Sequence, residues 1–207
     1  MFRLAISALG KLGRSGRKLL CRTDGSAVLE FSISLPLLVV FAVGIYDFSG
    51  AFNQKQKIEQ AAQEGAVVAG AQPTSDIAVS NPNPVSLQPV VDAVFNSLAG
   101  SGVLPLANQG TCSLNPAPTG VQTPVGSLAW VYTIAQCSGS NDSLTITINR
   151  GWASATGSAG VDAVGTVVTV NYPYHFMFNR VIQLLIPGAN YSAQTPVIES
   201  ATVHNQM

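Results

Sequence analysis

The sequence predicts an α+β protein: a long N-terminal helix, lipid-compatible in its first half, followed by a small antiparallel β-sheet domain. Three observations lead there. Residues 31–46 (FSISLPLLVVFAVGIY) carry no charge. Residues 48–69 are mostly good helix formers such as Ala, Gln, Glu and Lys. The chain beyond residue 128 is built from β-branched and aromatic runs divided by turn residues. Composition agrees, since 47% of the 207 residues are hydrophobic and only 10% charged, against about 25% charged in an average soluble domain. That shortage points to a membrane or to assembly into a larger object. The length suits one modest domain plus a membrane segment.

Residues 1–25 read as a basic leader. Six of the ten basic residues (Arg3, Lys11, Arg14, Arg17, Lys18 and Arg22) precede the first acid, Asp24. Basic residues directly before an apolar run point to cytoplasmic retention of that end, and nucleic acid is not an expected partner. Residues 26–71 read as one helix, roughly 65 Å long at ~1.5 Å per residue, with a membrane span over about residues 27–46. That span is close to the ~20 residues a bilayer core requires. A cleaved secretory signal is the competing reading, but the apolar run has no small-x-small exit site and continues into a polar helical stretch. Pro36 lies inside the run and removes the partner of the Ser32 carbonyl, so a kink is expected there. The hydroxyls of Ser32 and Ser34 can bond back to carbonyls one turn earlier, which lets lipid tolerate them.

Residues 72–207 form the expected α+β domain. Prolines punctuate its start, and residues 90–98 (VVDAVFNSL) suit a short helix with Val90, Val91, Val94 and Leu98 on one side. Strands are expected at 128–134, 144–148 and 164–172, with a turn over 138–143 and a last strand over 195–204. Residues 176–187 read as an amphipathic helix or loop packed on the sheet. Trp130 and Trp152 are expected in the sheet core, with an aromatic binding face as the alternative, and His175 is expected to pack at a strand end. Cys112 and Cys137 lie well away from Cys21, which sits in the leader. Outside the cytoplasm a bridge between them is permitted. It would close a loop of about 25 residues, contributing on the order of 3 kcal/mol; two separate buried thiols are the alternative.

The junction Asp24-Gly25-Ser26-Ala27-Val28-Leu29-Glu30-Phe31 is the most informative stretch. An acid in a membrane helix costs ~2.5–3.5 kcal/mol at mid-bilayer and usually has a partner. A cut after Gly25 would give Ser26 a positively charged α-amine, with Glu30 one turn further along the same helix face. The amine of an incoming subunit could then neutralise the Glu30 of a neighbour and set the axial register between subunits. A solitary Glu reaching the headgroups is the plainer alternative.

These residues resemble the processing site of type IV pilin-like proteins, and more closely that of the TadE-like pseudopilins of the Tad (Flp, tight adherence) pilus. Gly25 matches the residue before the cut, Glu30 the acid five residues into the processed chain, and Phe31 the aromatic after it. Tyr is common at that last place in the related major pilins, so Phe31 is a mild departure. Ala61-Ala-Gln-Glu-Gly65-Ala is similar to the family's signature at the helix end. The resemblance implies a pilin-like fold and a single-pass protein of the bacterial inner membrane with its domain in the periplasm. It also implies a leader removed by prepilin peptidase. The implied partners are that peptidase, other pilins and pseudopilins, the inner-membrane assembly platform and the lipid bilayer. The chain would act as a minor component aiding pilus assembly, since the bulk subunits are far shorter.

Enzyme chemistry is not expected. The two histidines, His175 and His204, form no His-x-x-x-His pair, and no Cys-x-x-Cys, nucleophile elbow or phosphate loop occurs. No metal or cofactor is expected. Gly100-Ser-Gly102 lacks the third glycine of a dinucleotide loop and reads as a turn. The competing function is a signal-anchored binding or adhesion module whose sheet captures a ligand.

Overall fold

The computed structural model describes residues 26–78, 80–81, 83–104, 112–115, 117–137, 142–154, 163–176 and 194–205. The leader with Gly25 and Cys21, most of the 138–143 turn, and residues 177–187 of the expected amphipathic segment lie outside the described residues. Two compact units are present, Met1–Tyr46 and Asp47–Met207.

The described part of the first unit is helical, as the opening of helix α1 (Ser26–Ala71). An 18-residue window reaches a mean hydropathy of 2.3, and none of it is buried inside the protein. Its Phe, Leu and Ile side chains stand exposed; Phe31 and Phe41 are each 64% exposed. This is one apolar N-terminal helix able to span a membrane by length and composition. The helix runs on past Pro36. Ser32 Oγ donates to the Leu29 carbonyl at 2.9 Å and Ser34 Oγ to that of Glu30 at 2.8 Å, so both hydroxyls are satisfied within the helix.

The second unit is an α+β domain in which two helices cover one face of a five-stranded antiparallel sheet. The sequence reading begins this domain at residue 72, whereas the compact unit begins at Asp47. The physical reason is the Ala-rich face of α1. Ile58, Ala61, Ala62, Gly65, Ala66 and Ala69 recur at helical spacing and are all buried. Small side chains let the sheet and the next helix come close. A Cβ on Gly65 would lie 2.4 Å from Val94 Cγ2 and 3.4 Å from Val168 Cγ1.

Helix α2 (Gln88–Gly100) follows a 3-10 turn at Val85–Leu87 and carries a proline in its first turn, where the missing N–H is harmless. It buries Val90, Val91, Val94 and Leu98, the four positions read from the sequence. Gly102 ends it at φ 72°. The Val103 N–H donates to Leu98 O at 3.0 Å and the Gly102 N–H to Ala99 O at 3.2 Å, a Schellman cap. The glycine pair is thus a helix terminus.

The strands are β1 (Val121–Gln122), β2 (Ala129–Ala135), β3 (Ser143–Ser154), β4 (Ala163–His175) and β5 (Gln194–His204), paired in sequence order. All neighbours are antiparallel. Alternation sets the two faces. Trp130, Tyr132 and Ile134, then Leu144, Ile146 and Ile148, then Val168, Val170 and Tyr172 point to the helices and are buried. Thr145, Thr147, Asn149, Val167 and Thr169 lie on the opposite face and are part-exposed. The short edge strand β1 has no counterpart in the sequence reading, because two residues show no period.

Two side chains differ from expectation. Trp130 is in the core, its Nε1 donating to Asn81 O at 3.2 Å, but Trp152 is not. The register slips between Asn149 and Trp152, so Trp152 pairs with Gly165, an outward-facing position. His175 ends β4 as expected but does not pack. It is exposed, with Nε2 2.5 Å from Asp142 Oδ2.

Candidate functional site

The expected processing and assembly residues occupy the first turns of α1. Ser26 opens the helix and Glu30 follows four residues later, on the same helical face. Glu30 is the sole charged residue between Ser26 and Tyr46. Phe31 is exposed beside it, and Pro36 lies within the helix. Gly25 is outside the described residues. Ser26, Glu30 and Phe31 thus lie within the first two turns of α1, while Cys112 and Cys137 belong to the second unit.

There the cysteines are bridged, with an S–S distance of 2.09 Å and Cα atoms 4.6 Å apart. The bridge ties the segment after α2 to the end of β2. Both sulfurs are buried in the main core. The Tyr172 hydroxyl sits beside this junction, 3.2 Å from Cys137 O and 3.4 Å from Val103 O.

The residue that sequence reasoning missed is Arg150. Its side chain leaves β3 on the core face and is 2% exposed. Its guanidinium donates to the Ala69 carbonyl, and also to the Gln72 carbonyl at 3.0 Å. The last carbonyls of an α-helix have no partner within it and carry the negative end of the dipole, so a strand cation caps α1 here. Asp76 stands nearby and accepts a hydrogen bond from the Ser86 amide at 2.8 Å. Burial pushes the Asp76 carboxyl up. The Ser86 amide, the Ser86 side chain, its own amide and the Arg150 charge outweigh that, and the group is held below its ordinary value. Burial pulls Arg150 down, and the Asp76 charge acts the other way. A parity argument would have found Arg150. In LTITINR it follows Leu144, Ile146 and Ile148 at even positions, which marks it as facing the core.

Further contacts anchor the start of the second unit. The Tyr174 hydroxyl donates to Asp47 O at 3.3 Å, and the Phe176 ring meets Tyr174 and Phe48 edge-on at 5.0 and 6.3 Å. Lys55 pairs with Glu199 of β5 at 3.3 Å. Among the described residues no group of three or more His, Cys, Asp or Glu could hold a metal ion.

Residues 25–67 match the family model described as TadE-like protein. The match begins at Gly25 and ends just after the Ala-Ala-x-x-Gly-Ala segment, so it covers the junction and most of α1. No curated protein and no solved structure matches the chain. Likeness to a pilus family over this segment points to pilus components as partners. Over residues 25–67, the segment that holds Ser26, Glu30 and most of the small-residue face of its long helix, the chain is similar to the TadE-like proteins of the Tad pilus system.

Proposed function

We infer that the protein is a membrane-anchored minor pilin whose leader is removed after Gly25 by prepilin peptidase, and which then assists assembly of a Tad-type pilus rather than catalysing a reaction. The observation that carries this reading is one acid, Glu30, in the otherwise uncharged apolar stretch from Ser26 to Tyr46, one turn from the residue that would gain an amine on cleavage. Cleavage would remove all six basic residues of the leader and leave Ser26 with a cation. Moving a neighbour's Glu30 next to that amine neutralises both charges in lipid, where an unpaired charge is costly. A mismatch by one helical turn would separate the two charges, so the pairing also selects the axial register. The basic leader supports a cytoplasmic N-terminus and a periplasmic second unit. The disulfide supports the same side, since oxidising compartments favour such bridges.

N-terminal sequencing of the protein from native membranes tests the cut. Ser26 as the first residue is expected, and an intact basic leader refutes the processing. Glu30→Ala should leave cleavage and membrane insertion in place while reducing piliation; normal pili in that variant would remove the pairing role.

A further inference from the structure

The sheet face turned away from the helices carries an arrangement that the pilus reading does not use. Up to Arg150 the even-numbered residues of β3 face the core. The bulge after Asn149 reverses this parity, so Trp152 emerges on the outer face, opposite Gly165 of β4. Gly165 is required there: a Cβ on it would lie 2.8 Å from Trp152 Cε3. The indole therefore lies close over the neighbouring strand. Next to it, register places Asn149, Val167 and Thr202 in one row, and Thr147, Thr169 and Ser200 in the row beyond. The loop between β1 and β2 forms a wall, held by Thr123 N–H to Ala129 O and Ser127 N–H to Pro124 O, both 3.1 Å. Together these enclose an open groove of about 700 Å³, within the ~300–1,000 Å³ of ligand sites.

The groove's chemistry selects its occupant. Among the described residues its lining includes hydroxyls, a carboxamide and an indole, and no charged side chain. An anion or a cation would find no counter-charge among these residues. A purely apolar ligand would desolvate the row of hydroxyls without replacing their hydrogen bonds. Pyranose rings offer both what the indole and the hydroxyls need: a C–H face to stack on an aromatic ring and a rim of hydroxyls that donate and accept. We propose that this outer face, with Trp152 as the stacking platform and Asn149, Thr147 and Thr169 as hydrogen-bonding groups, binds a neutral glycan chain. The site stands independently of leader cleavage and of Glu30.

The test is calorimetric titration of the full chain in phosphatidylcholine nanodiscs, because glycoside detergents would compete. The probes are maltohexaose and cellohexaose, with hexagalacturonate as the charged comparison. Saturable binding of at least one neutral hexasaccharide is expected, weakened about tenfold or more by Trp152→Ala. Thr169→Val keeps the strand's shape and should weaken it several-fold, so it serves if Trp152→Ala does not fold. The proposal is overturned by any of four results: no binding of either neutral probe up to about 10 mM, unchanged affinity in both variants, equal binding of hexagalacturonate, or self-association of the chain that Trp152→Ala abolishes.

Discussion

Replacing Arg150 with Met keeps the length and apolar stem of the side chain and deletes its five donors. The guanidinium bonds the carbonyls of Ala69 and Gln72, with Pro73 O at 3.5 Å on the margin. Hydrogen bonds from a charged donor contribute ~1.5–3 kcal/mol each, so two such bonds give a gross ~3–6 kcal/mol. Releasing the buried cation from its desolvation cost returns part of this, which leaves a net loss of ~2–4 kcal/mol. For a domain of this size that lowers Tm by ~4–16 °C. Thermal unfolding of the full chain, followed by near-UV circular dichroism at neutral pH, reads the effect. Lys55→Met is the control. Its partner Glu199 is 3.3 Å away, but the Lys55 side chain is 51% exposed, so at most ~1 kcal/mol is expected. If Arg150→Met costs no more than Lys55→Met, the cap does not hold the helix end and the reasoning fails.

Gly65→Ala places a methyl 2.4 Å from Val94 Cγ2 and must push α2 away from α1; a loss of ~1–3 kcal/mol in denaturant unfolding is expected. Replacing Cys112 and Cys137 together with Ser should cost on the order of 3 kcal/mol, and the unmodified chain under reductant should match the double variant. Asp76 supplies a pH dependence whose sign is set by its lowered value. Its contribution is fully present above the unfolded value near 3.8 and is lost as pH falls through the folded one. Asp76→Asn should therefore flatten the acid limb of a stability-against-pH curve below about pH 4, while Arg150→Met, which removes a charge holding Asp76 down, should move that limb to higher pH.

How much of this was legible depends on the range of the interaction concerned. The apolar span, the helix beyond it and the four longer strands follow from local periods of 3.6 and 2, which any window of the chain displays. Val90, Val91, Val94 and Leu98 were readable as a buried stripe for that reason. The junction at Gly25 to Phe31 was legible because its chemistry needs only charge, spacing and an apolar surround. The partner of the Ala-Ala-x-x-Gly-Ala segment was not, since smallness says that something comes close and not what. In the fold it is Val94 of α2 and Val168 of β4.

Trp152 shows the limit most plainly. Extending the parity of Leu144, Ile146 and Ile148 puts it in the core, and one inserted residue turns it outward. A bulge is fixed by pairing with β4, so no reading of β3 alone could include it. Arg150 divides the two kinds of knowledge. Its strand position already set it on the buried face. Only the tertiary fold supplied the helix end that makes a buried cation stable there, because carbonyls some 80 positions earlier in the chain have to arrive at the same point.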